Sequence, residues 1–180
     1  MCRPRSIKMQ HKPQGFALFV VLVMMIVIAF LVVAAVQSYN TEMRISSNDS
    51  DRKMAMQLAE SALRQGEAQI ALDKATVEDI DNYSETCVNG LCLAAESEKS
   101  TNKTPAWQRS ICGSGNTQSC LEVNGVEVAS ANNEKIQKNP RYIIELMQDA
   151  ATEKIFRVTA RAWGVNDNTV VTVQSYVAAE

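Results

Sequence analysis

Four cysteines, Cys87, Cys92, Cys112 and Cys120, are the residues of this chain whose type and spacing could do chemistry, by closing disulfides or by holding a metal as thiolates. The gaps of four and seven residues between neighbours are not those of a zinc ribbon, so no metal site is expected. An even number of cysteines in a domain delivered to an oxidising compartment reads as two disulfides. Of the three possible connectivities the sequential one, Cys87 to Cys92 and Cys112 to Cys120, is expected, because Asn89-Gly90 is a two-residue hairpin turn that sets Cys87 opposite Cys92. Other chemistry is hard to assemble. The only histidine, His11, lies in a basic N-terminal leader, away from any serine or cysteine nucleophile it could activate. Glu60 sits four residues before Arg64, the spacing of a helical ion pair rather than of a general base. Asp49 and Asp51 lack the glycine turn and distal glutamate of a calcium loop and read as a solvated helix face. There is no phosphate loop or dinucleotide fingerprint. The expectation is a non-enzyme with no catalytic residue and no cofactor.

Delivery of those cysteines depends on the N-terminus. From Phe16 to Val36 the chain has twenty-one residues without a charge, an amide or a hydroxyl, enough for a helix to cross a bilayer core of ~30 Å. Backbone in lipid must satisfy its own hydrogen bonds, which leaves a helix as the form for a single apolar run. Arg3, Arg5, Lys8, His11 and Lys12 precede it with no acid among them, so the positive-inside rule keeps the leader cytoplasmic and sends the rest across. A secretory signal has an apolar core of roughly 7 to 15 residues and a small-residue cleavage site, shorter than this run. A plain signal anchor accounts for the charge and the length. It does not account for Lys12-Pro13-Gln14-Gly15-Phe16, where Gly15 directly precedes the Phe that opens the apolar run and offers a cut on the cytoplasmic side.

These strings together resemble the minor pilins of type IV pili, most closely the PilX/PilK type. The resemblance rests on Gly15 to Leu22, Gln37 to Glu42 and Leu58 to Glu67. It is carried further by Pro140 to Glu145, Arg157 to Gly164 and Val173 to Tyr176. It implies a class III leader cleaved after Gly15 by a prepilin peptidase, N-methylation of Phe16, and packing of the apolar helix into a filament with other minor and major pilins. It also implies an inner-membrane protein with a periplasmic head that is later carried on the pilus. Most pilins have Glu at the fifth mature position, to neutralise the amine of a neighbouring subunit; here that position is Val20. The tip pseudopilin of type II secretion, to which the family is similar, also lacks that Glu, and Val20 is read the same way, as the mark of a tip position.

The organisation follows. Residues 1–15 are the leader and 16–75 one long helix, of which 16–36 spans the membrane. Apolar or small residues at Ala55, Leu58, Ala59, Ala62, Gly66 and Ile70 recur at spacings of three and four and define the inner face of its second half. The string Ser46 to Asp51 is its weakest propagating stretch, where a bend belongs if there is one. Residues 76–139 form a loop-rich, disulfide-containing region in which Asn89-Gly90 and Asn124-Gly125 predict two hairpins. Residues 140–180 form an antiparallel sheet of strands Arg141 to Met147, Lys154 to Trp163 and Thr169 to Val177. Strict alternation puts Tyr142, Ile144, Leu146, Phe156, Val158, Ala160, Ala162, Val171, Val173 and Val177 on the helix side, and Trp163 and Tyr176 on an outer face that could meet a partner. The fold class is α+β and pilin-like.

Removing the leader takes four of eighteen basic residues and none of twenty acids, so the mature chain carries −6 and no grip on nucleic acid is expected. Two functions fit: a minor pilin that primes filament assembly at the tip, or a membrane-tethered periplasmic binding module that never enters a filament.

Overall fold

With no proline between Gln14 and Leu72, nothing in that stretch removes a backbone donor, and the chain forms one continuous helix, α1 (Gln14–Leu72, 59 residues). The computed structural model describes residues 14–112, 118–129, 136, 138–149, 154–166 and 168–179. The predicted leader residues Arg3, Arg5, Lys8, His11 and Lys12, and with them Cys2, lie outside these. Residues Ser46 to Asp51 are helical without a break, and Lys53 meets Asp49 at 2.6 Å on the exposed side. It ends three residues earlier than expected. Asp73 leaves helical geometry and its carboxylate accepts the Thr76 N–H, so residues 74–77 become a separate turn, α2 (Lys74–Val77).

The chain divides into two compact units, residues 1–47 and 48–180. In the first, the described residues are helix and those from Phe16 to Ser47 are exposed. The second is built on a mostly antiparallel sheet. Strands β3 (Arg141–Asp149), β4 (Lys154–Trp163) and β5 (Val170–Ala179) pair antiparallel in that order, with Ile144 opposite Val158 and Val158 opposite Ser175. Their expected helix-facing residues meet the second half of α1: Ala62 and Ile70 pack with Tyr142, Ile144, Leu146, Phe156, Val158 and Ala160, while Val173 and Val177 lie against the margin of that cluster. A side chain the size of Phe156 or Ile144, fully withdrawn from water, contributes roughly 1.5 to 3 kcal/mol. At Gly66 a Cβ would lie 2.6 Å from Val158 Cγ1 and 2.9 Å from Tyr142 Cδ2, so only glycine lets the helix come this close to the sheet.

Neither predicted hairpin forms. After Cys87 the chain makes a 3-10 turn (Val88–Gly90) with Cys87, Asn89 and Gly90 all at positive φ, and then enters β1 (Leu91–Leu93), which pairs parallel to β3. The turn-forming character of Asn-Gly is real but is used to close the small disulfide ring, while Leu91 and Leu93 gain more by packing beside Ile144 and Leu146 than by pairing locally. The second site becomes a helix, α3 (Cys120–Asn124), followed by β2 (Val126–Glu127), which pairs antiparallel with β3. A hairpin would have set Glu122 against Glu127; instead Glu122 reaches Arg161 and Glu127 reaches Arg141.

Candidate functional site: an apolar helix and a disulfide-laced sheet face

The first unit offers one chemical feature. Its apolar residues have no protein neighbour to bury them: Phe16 is 71% exposed and Val20 39%. The helix is the one among the described residues long and apolar enough to cross a membrane. An apolar surface of this extent belongs in lipid or against other apolar helices. Val20 has only apolar side chains on either side in sequence, and no carboxylate lies within the run.

In the second unit the face of the sheet turned away from α1 is covered over β3 and β4. Cys87, Cys92, Cys120, Ala106, Leu121 and Ile143 form a second core there, with Trp107 and Cys112 against it. The two disulfides are Cys87–Cys92 and Cys112–Cys120, with Cα separations of 4.2 and 5.0 Å, the sequential pairing expected. The chain between them would be poorly held by its few apolar residues, and charged groups do the rest. Glu145, wholly buried, accepts from Arg157 Nε and a terminal nitrogen at 2.8 Å each and from the Ala106 N–H at 3.2 Å. Those bonds to Glu145 hold the Arg157 guanidinium above its ordinary pKa. Arg109, also buried, donates to the carbonyls of Thr104 (2.8 Å), Glu85 (3.3 Å) and Asn102 (3.3 Å), while burial pulls its pKa down. Glu85 in turn accepts from the hydroxyl of Thr101 and from the N–H groups of Thr101 and Asn102, which hold its carboxyl below the usual range. A loop with little apolar surface is thereby fixed by arginine forks and carboxylate acceptors.

Two outer-face expectations change. Trp163 is buried, 4% exposed, with the Lys138 ammonium 5.5 Å above its ring, because the disulfide region extends over this end of β4. Tyr176 is exposed, as expected. Asp51 is not a solvated helix residue: its carboxylate turns to the β4–β5 connection and accepts from the N–H groups of Val165 (2.6 Å) and Asn166. The bond from the Thr169 side chain, with those backbone bonds, holds its carboxyl below the ordinary value. Gly164 lies against that carboxylate with no room for a Cβ. Spacing on the helix gave no sign of this long-range contact; the nearest signal was Gly164 closing a strand otherwise rich in bulky residues. Among the described residues no three His, Cys, Asp or Glu side chains gather as a metal site.

The sequence itself carries the decisive match. Residues 88–179 match the family described as type IV pilus assembly protein PilX, C-terminal, and residues 14–64 match the PilX N-terminal family. The chain belongs to the PilX family of type IV pilus assembly proteins. No curated protein and no solved structure matches it. PilX proteins are minor pilins, structural components of pilus assembly, which accords with an exposed apolar helix on an α+β head. The N-terminal match lies within α1, and the C-terminal match runs from Val88 through all five strands.

Proposed function

We propose that this PilX-family chain is a minor pilin that primes type IV pilus assembly at or near the filament tip. In this reading prepilin peptidase cuts after Gly15, Phe16 becomes the methylated N-terminus, and the chain waits in the inner membrane with its head in the periplasm before entering the pilus beside other minor and major pilins. The observation that carries the tip position is Val20, an apolar residue at the fifth position after the cut, with no acid anywhere from Phe16 to Val36. A subunit without that carboxylate cannot neutralise an amine from a subunit stacked above it, and an unpaired charge in such surroundings costs several kcal/mol. At the tip no such subunit exists.

Mass analysis of the N-terminus of protein purified from piliated cells tests the processing step: a chain beginning at methylated Phe16 is expected, and an intact Met1 overturns it. Immunogold labelling tests position, with signal expected at filament ends. Label spaced along the shafts removes the tip assignment and leaves the pilin reading standing.

A further inference from the structure

Strand β5 is the long outer edge of the sheet. The order is β1-β3-β4-β5, and among the described residues nothing pairs with the far side of β5. Edges of this kind are normally guarded by charge, proline, a bulge or short length. Here Val170–Ala179 is ten residues long, contains no charged residue and no proline, and pairs with β4 without a register shift. Its residues on the helix side, Val171, Val173 and Val177, are only half-buried, while Val170 and Tyr176 on the other face are exposed. A strand uncharged on both faces lacks the usual guards of an exposed edge.

The ladder identifies which backbone groups of β5 face away from β4. The Gly164 N–H donates to the Thr169 carbonyl, which makes Trp163 and Val170 a non-hydrogen-bonded pair. Alternation then turns the N–H and C=O of Val170, Thr172, Gln174, Tyr176 and Ala178 away from β4. The side chains do not compete for them: Thr172 accepts from Arg161 and Gln174 donates to Thr159, both back toward β4.

We propose that β5 is a docking edge that takes a β-strand from a different pilin subunit, extending the sheet across the subunit boundary by backbone hydrogen bonds. This rests on the filament reading above. A second copy of this chain fits less well. A tip position, as read above, is held by one subunit per filament, so the strand beside β5 comes from another pilin rather than from a second copy. Parallel self-pairing about a two-fold sets each residue beside its own copy on opposite faces, contrary to the pleat. On the helix side the partner strand must be uncharged, since a charge there would meet the half-buried Val171, Val173 and Val177.

The test is photo-crosslinking in cells that carry the whole pilus machinery, with p-benzoylphenylalanine replacing Tyr176 in the full-length chain. A control chain carries the same probe at Val32 in the apolar helix. The expected result is a Tyr176 adduct of the mass of this chain plus another pilin. Adding Gln174→Pro, which removes an outward N–H and leaves the β4 ladder intact, should cut its yield about tenfold while the Val32 adduct and the thermal midpoint persist. An adduct of twice the chain mass, or an adduct unaffected by Gln174→Pro, overturns the proposal. Adducts from Val32 with none from Tyr176 overturn it while the filament reading survives, and loss of both defeats the two together.

Discussion

The Glu145 carboxylate and the Arg157 guanidinium face each other across neighbouring strands, joined by two 2.8 Å bonds in a place where Glu145 has no contact with water. They occupy paired register positions on β3 and β4, so the sheet itself delivers each to the other. Breaking such a pair from one side leaves a buried charge. Arg157→Leu is expected to lower stability by about 3 to 5 kcal/mol, and the double variant Arg157→Leu with Glu145→Leu by much less. Chemical denaturation of the detergent-solubilised chain measures both; equal losses in single and double variants would show that the pair is not acting as a unit.

Asp51 makes stability depend on pH. Its folded pKa lies below the unfolded value, chiefly through the Thr169 side-chain bond and the two backbone bonds. The stabilisation is therefore fully present above the unfolded pKa of ~3.9 and is lost as pH falls through the lower folded value. The stability difference between wild type and Asp51→Asn should stay level from neutral pH down to about pH 5 and shrink below about pH 4. Thermal melts of both proteins across that range decide it, and a difference that grows on acidification contradicts the assignment.

The disulfides join residues five and eight apart in sequence, so each closes a short loop in the unfolded chain. Replacing Cys87 and Cys92 by serine is expected to reduce stability toward the lower end of ~2 to 4 kcal/mol. Non-reducing peptide mapping of the wild type should find no free thiol among the four cysteines of the head.

Val20→Glu connects sequence to position. At a tip the added carboxylate faces no amine from above, at a cost on the order of 2 to 3 kcal/mol in the apolar run. Pilus number per cell should fall or stay level, whereas deletion of the whole protein should leave few pili of ordinary thickness. A rise in piliation with Val20→Glu argues for a place within the shaft.

Much of this protein is written in local pattern. The apolar run from Phe16 to Val36 needs no partner to be read, because lipid imposes helix on any such segment, and the three-and-four spacing from Ala55 to Ile70 and the alternation from Phe156 to Ala162 name their buried faces by the geometry of one element alone. The sequential disulfides were legible too, since short separations make them local, although the hairpin used to argue the first of them is absent. What the tertiary structure alone decided is what meets at long range. Asn89-Gly90 and Asn124-Gly125 have the same turn chemistry in a hairpin or out of one, and the edge of β3 claimed Leu91, Leu93 and Val126 because burial there outweighs local pairing. Trp163, Arg157 and Thr159 alternate as an outer face and are nevertheless buried, because a second layer that no periodicity announces folds over them. Asp51 reaches a turn more than a hundred residues away, and neither end of that bond carries a sign of the other in the chain.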